Sequence, residues 1–107
     1  MSVPERIGNV SVKLKANVYF DGKVVSHSLE LSNGKKKTVG LIYPGSYHFN
    51  TDAPERMDII AGTCRVKTAG DPSWKEIPAG STFNVPAKSG FDIAVDSGIA
   101  EYLCSFE

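Results

Sequence analysis

Short apolar runs with a period of two, broken at regular intervals by glycine-, proline- and asparagine-bearing turns and nowhere showing a helical period, restrict this chain to a closed all-β architecture. Asn17-Val18-Tyr19-Phe20 runs into Asp21-Gly22, a hairpin signal because both central residues of a type I′ turn need positive φ. A strand returns through Val25, His27, Leu29 and Leu31, and this alternation predicts that the set, His27 included, faces the core. Asn33-Gly34 turns the chain again, and Lys35-Lys36-Lys37 leads into a strand from Thr38 to Tyr43. Pro44-Gly45 then opens Ser46 to Thr51, with Tyr47 and Phe49 on one face and His48 on the other. Beyond the corner Thr51-Asp52-Ala53-Pro54, Glu55 starts a face continued by Met57, Ile59 and Ala61, and strict alternation turns Arg56 away from it. Cys64 with Val66, Phe83 with Val85, Phe91 with Ile93 and Val95, and a last strand whose inward residues are either Tyr102 and Cys104 or their neighbours Leu103 and Ser105 complete the set.

At 107 residues the chain fits one domain. The first strand signal divides it into an N-terminal extension, residues 1–16, and a domain, residues 17–107. Within the extension only Val10, Val12 and Leu14 alternate, which suits an edge strand or a strand paired with a second subunit. Twelve basic residues balance twelve acidic ones, so no global charge draws the chain to nucleic acid or to an anionic membrane. No window approaches the ~20 apolar residues of a membrane span, and MSVPERIGNVSVK lacks the apolar centre of a signal peptide, so a cytoplasmic location is expected. Cys64 and Cys104 then read as buried free thiols. His27 has no histidine or cysteine partner at metal-site spacing and reads as a hydrogen-bonded structural residue.

Gly40, the Tyr47-x-Phe49 pair, Glu55 and Gly62 fall at the spacing of the first cupin signature, where a glycine precedes a His-x-His pair, a glutamate and a closing glycine. Pro78-Ala79-Gly80 followed by Phe83 sits at the spacing of the second, again with an aromatic ring in place of the imidazole. The chain thus resembles a single-domain cupin-type β-barrel, jelly-roll-like, of whose usual metal ligands only Glu55 remains. The match extends further. Asn17-Val18-Tyr19-Phe20-Asp21-Gly22-Lys23-Val24, Thr38-Val39-Gly40, Tyr47-His48-Phe49, Pro54-Glu55-Arg56-Met57, Phe83-Asn84-Val85-Pro86, Ser89-Gly90-Phe91 and Tyr102-Leu103-Cys104 together resemble the small cupin-fold pyrimidine/purine nucleoside phosphorylases. That resemblance implies cleavage of purine and pyrimidine nucleosides by orthophosphate, giving free base and α-D-ribose 1-phosphate. It implies no cofactor and no metal, with orthophosphate as co-substrate.

Such a reaction passes through a ribose with oxocarbenium-like charge, so it needs an anion beneath the anomeric carbon and a way to spread charge on the departing base. Phosphate is the anion. The resemblance together with this chemistry nominates Glu55 and Arg56 as catalytic residues, Glu55 for ribose hydroxyls and Arg56 for phosphate, with Lys36 and Lys23 as further cations. Tyr47, Phe49, Phe83 and Tyr102 are the candidate base-stacking surfaces, and Phe91 reads as core. Stacking suits broad specificity because every base has a π face. A homodimer is expected from the exposed edges of a small barrel and from the alternating extension. The competing readings are a metal-free small-molecule-binding cupin without turnover and a sugar isomerase, which would normally require a metal.

Overall fold

In the computed structural model, which describes residues 3–107, eleven strands form two facing antiparallel sheets. Met1 and Ser2, the first residues of the predicted extension, lie outside the described residues. The strands are β1 (Val10–Val12), β2 (Asn17–Tyr19), β3 (Val24–Leu31), β4 (Lys36–Ile42), β5 (Gly45–Asn50), β6 (Glu55–Ala61), β7 (Thr63–Thr68), β8 (Lys75–Pro78), β9 (Thr82–Val85), β10 (Gly90–Val95) and β11 (Ala100–Phe106). The large sheet runs β1-β3-β4-β11-β6-β9 with β2 also paired to β3, and the small sheet runs β5-β10-β7-β8. Their hydrogen-bond ladders are separate, so the architecture is a jelly-roll-like sandwich.

The two inner faces meet in one apolar core. Val24, Ile42 and Ile59 from the large sheet and Ile93 and Val66 from the small one are essentially inaccessible to water. Burying each such side chain contributes roughly 1.5–3 kcal/mol. Cys64 and Cys104 are buried free thiols, as expected.

Turn chemistry accounts for the corners. Asp21 and Gly22 both have positive φ, and the Lys23 N–H closes the turn onto the Phe20 carbonyl at 3.2 Å, the geometry expected of Asp-Gly. Phe20 itself also adopts a left-handed backbone, φ 52°, which is uncommon for a bulky residue. At the β4–β5 corner, where the chain crosses between sheets, the Tyr47 hydroxyl donates to the carbonyls of Tyr43 and Pro44 at 2.8 and 2.9 Å.

One phase prediction is overturned. Val24 and Ser26 of β3 are the buried inner residues, and Val25, His27, Leu29 and Leu31 lie on the opposite face. The cause is that the inner face of β3 borders a polar space, where Asn17 donates to the hydroxyls of Ser26 and Ser28 at 3.2 and 3.1 Å. The apolar alternation therefore marks the back of the sheet. There the His27 ring shares a hydrogen bond with the Lys13 carbonyl at 3.1 Å, and Leu29 is buried.

Candidate active site

At one end of the sandwich a cavity of about 240 Å³ opens between the inner faces. Its apolar walls are Ile42 and Met57 of the large sheet and Phe49, Phe91 and Ile93 of the small one. Its polar edge consists of Ser26, Thr38, Asn50, Glu55 and Tyr102. A wider vestibule of about 510 Å³ adjoins it, and Tyr19, Thr38, Asn50, Glu55 and Phe106 border both spaces.

Register explains this lining. Thr38 stands opposite Cys104, and Cys104 opposite Met57, so the three form one inward row across β4, β11 and β6. Two residues nearer the mouth, the same alternation gives a row of Lys36, Phe106 and Glu55, placing the backbones of Lys36 and Glu55 two strand spacings, roughly 10 Å, apart. Deeper in, Ser26, Gly40 and Tyr102 form a third row. A Cβ on Gly40 would lie 2.9 Å from both the Ser26 Cβ and the Tyr102 ring, so the glycine is what lets that ring lie against the sheet.

Glu55 is half-buried on the threshold between the two spaces. Among the described residues no lysine or arginine lies within ion-pair distance of it. Its neighbour is the Cys104 thiol, which donates to Oε1 at 3.5 Å. Burial pushes the Glu55 carboxyl above the ordinary carboxylate value, and this thiol contact opposes the shift. Burial, with the nearby Glu55 charge, pushes the Cys104 thiol well up, so it stays a protonated donor. The Tyr102 phenol is likewise pushed up to about 12 by burial and remains a donor at neutral pH. Glu55 therefore offers unused acceptor capacity to a hydroxyl entering the cavity, which is what a ribose presents.

The candidates named from sequence divide into two groups. Glu55, Phe49 and Tyr102 line the cavity, and Lys36 lines the vestibule. Arg56 does not reach either space: as strict alternation requires, it points to the other face of β6, where its Nε donates to Asp58 at 3.1 Å. Tyr47 and Phe83 face inward without lining the cavity. Tyr47 belongs to the core at the β4–β5 corner, and Phe83 packs edge-on to Phe91 at 5.6 Å. Lys23 is exposed at the hairpin. Phe91, read as core, is buried and also forms part of the cavity wall. His48 points outward as predicted, and hydrogen bonds from its ring to Asp92 and Asn50, each 2.9 Å, raise its pKa.

Sequence reasoning missed Tyr19, Ser26 and Asn50. Ser26 was lost with the phase of β3. Tyr19 ends β2 with its ring edge-on to Phe49 at 6.1 Å, a contact that needs the two sheets brought together. Nothing in the local pattern marked it.

The sequence model of one family, described as pyrimidine/purine nucleoside phosphorylase, matches residues 14–106. The chain belongs to that family. The pyrimidine/purine nucleoside phosphorylase of Aromatoleum aromaticum is 51% identical over 106 residues, spanning 99% of this chain and 99% of its own. That of Thiobacillus denitrificans is 52% identical over 101 residues, 94% of this chain and 97% of its own. Among solved structures, a protein of unknown function from Acinetobacter sp. ADP1 superposes with a TM-score of 0.94 at 40% identity, covering 97% of this chain and all of that one. Bacillus subtilis oxalate decarboxylase superposes with a TM-score of 0.73 at 14% identity over 94% of this chain and 29% of that one, a likeness of fold alone that identifies this nucleoside phosphorylase family member as cupin-type.

Proposed function

We propose that this chain is a nucleoside phosphorylase that accepts purine and pyrimidine nucleosides, with the base in the apolar cavity, the ribose at the Glu55 threshold and orthophosphate in the vestibule. The observation that carries the reading is Glu55 itself, a half-buried carboxyl group with no ion-pair partner among the described residues, at the junction of an aromatic chamber and a lysine-edged vestibule. In the reaction the C1′–N bond breaks with its electron pair leaving on the base, and a phosphate oxygen forms the new bond to C1′. The base takes up a proton. Glu55 accepts a ribose hydroxyl hydrogen bond that strengthens as positive charge develops on the sugar, and its own charge opposes that development. Phe49 offers a flat face to the base, and Tyr102 offers a phenol donor that any heteroatom can accept.

Orthophosphate is the only co-reactant in this scheme, and no metal takes part. Supporting this, the positions at which metal cupins carry imidazoles hold Phe49 and Phe83, whose ring carbons cannot coordinate, and Tyr47, whose hydroxyl is turned to the Tyr43 and Pro44 carbonyls. Incubation with uridine, cytidine, inosine and guanosine should release free base only when orthophosphate is present, at a rate unchanged by prior dialysis against chelator. Base release that proceeds equally without phosphate would replace phosphorolysis by hydrolysis. Nucleoside binding with no release under either condition would make the chain a binding module, and loss of turnover on metal removal would overturn the metal-free reading.

We also propose a two-fold dimer in the cytoplasm, supported by the apolar residues exposed on one protomer, among them Leu14 at 88%, Val12 at 49% and Val39 at 40%. Light scattering at micromolar concentration should report twice the mass of one chain. A monomer whose mass is unchanged on deleting residues 1–15 would remove the proposal.

A further inference from the structure

The segment before β2 is bolted to the site. After β1, the Lys13 N–H donates to the Ser28 carbonyl at 2.9 Å and the Lys13 carbonyl meets the His27 ring. Four residues on, the Asn17 amide binds the hydroxyls of Ser26 and Ser28. The chain is thus tied to β3 on both sides of Leu14, and the backbone of Lys13 is held beside the vestibule that Lys13 and Lys36 both border.

Several other cations near the cavity or beside the small sheet are already engaged. Arg56 is paired with Asp58, Arg65 with Asp96, and Lys75 with Asp71. Lys37 donates to Ser105 at 2.8 Å, and Lys67 sits over the Trp74 ring. Among the described residues neither Lys13 nor Lys36 is in an ion pair, and both border the same vestibule. Glu30, Asp52 and Glu55 also border it, so the wall holds more acidic than basic groups, and each ammonium group close to a bound dianion reduces the repulsion it meets. Lys13, just after β1, and Lys36, at the start of β4, border this space from separate segments of the chain.

We propose that Lys13 is a second orthophosphate-binding residue, closing on the anion from the side opposite Lys36; the proposal rests on the phosphorolysis reading above. Lys13 lies one residue before the region matched by the family model, in the segment that precedes β2. The role is one of binding and orientation. It should appear in the phosphate dependence of the rate and leave the nucleoside dependence alone.

The test varies inorganic phosphate against saturating uridine, and uridine against saturating phosphate, in the full chain. Lys13→Gln should raise the KM for phosphate about 10- to 100-fold, as loss of a hydrogen bond to a charged group does, with the KM for uridine within twofold of the parent. Lys13→Arg should restore most of the loss. Lys75→Gln, the same charge change on the small sheet, should leave both constants unchanged and so separate local binding from general charge steering. A phosphate KM within twofold of the parent in Lys13→Gln would overturn the proposal while phosphorolysis stands. Equal rises in both KM values with a lowered Tm would assign Lys13 a structural role and overturn it as well. A parent enzyme that releases base without phosphate would instead remove the functional reading on which the proposal rests.

Discussion

Glu55→Gln should fold normally and lose turnover by about 100- to 1000-fold, the effect of removing a charged partner that acts chiefly in the transition state, typically ~2.7–4 kcal/mol. The same substitution should raise the melting temperature at neutral pH. Burial raises the folded pKa of Glu55, so the native state holds its proton more tightly than the unfolded chain does. Its contribution to stability is therefore fully present in acid below the unfolded value and is lost as pH rises through the raised folded value. A neutral amide does not carry this dependence, so the stability gap between variant and parent should widen from acid toward neutral pH. In the parent, kcat should fall on the acid side as Glu55 takes up its proton, at a pH above the ordinary carboxylate range. Thermal melts and rate profiles across pH check both statements, and a Glu55→Gln variant with parental turnover would withdraw the catalytic assignment.

Gly40→Ala is expected to damage both fold and site. The added methyl would meet the Val25 carbonyl oxygen as well as the Ser26 Cβ and the Tyr102 ring, and backbone on one side cannot move aside as a flexible side chain could. Overpacking of this kind typically costs ~1–3 kcal/mol, and in a domain of this size each kcal/mol lowers Tm by about 4–8 °C. Relief by rotation of Tyr102 would swing its ring into the cavity, so the KM for nucleosides should rise even in molecules that stay folded. Calorimetry and steady-state kinetics on one preparation test this. A variant with parental Tm and KM would mean that Tyr102 is not seated against Gly40.

Most of the strands, their turns and the threshold position of Glu55 were legible in the sequence because each rests on a local rule. Asp21-Gly22 needs left-handed backbone wherever it stands, and alternation along β6 separates Glu55 from Arg56 without knowledge of any neighbour. What failed were inferences that equate apolar with inward. On β3 the inner residues beside the cavity include serines held by Asn17, so the hydrophobic phase pointed to the back of the sheet. Tyr47 and Phe83 illustrate a different limit: their inward phase was correct, yet depth along the strand decides whether an inward ring meets core or cavity, and depth depends on pairings between distant strands. The alternation of Val10 and Val12 suited an edge strand, which β1 is, but the pairing with β3 that brings Lys13 beside the vestibule depends on a distant strand.

The position of β11 also governs how the chain is born. β11 lies between β4 and β6, and without it the large sheet falls into two unjoined pieces, β1 to β4 and β6 with β9. All ten other strands leave the ribosome before it does. Until Ala100–Phe106 emerges, β4 and β6 present bare edges, the condition under which nascent β chains associate wrongly. Joining them requires pairings as distant as Lys37 with Ser105, and such non-local closure belongs to the slow regime of ~milliseconds to seconds. The same event delivers Tyr102, Cys104 and Phe106 to the cavity. A chain without β11 therefore has only part of the cavity wall, so the space is completed by the same pairing that joins the two halves of the large sheet.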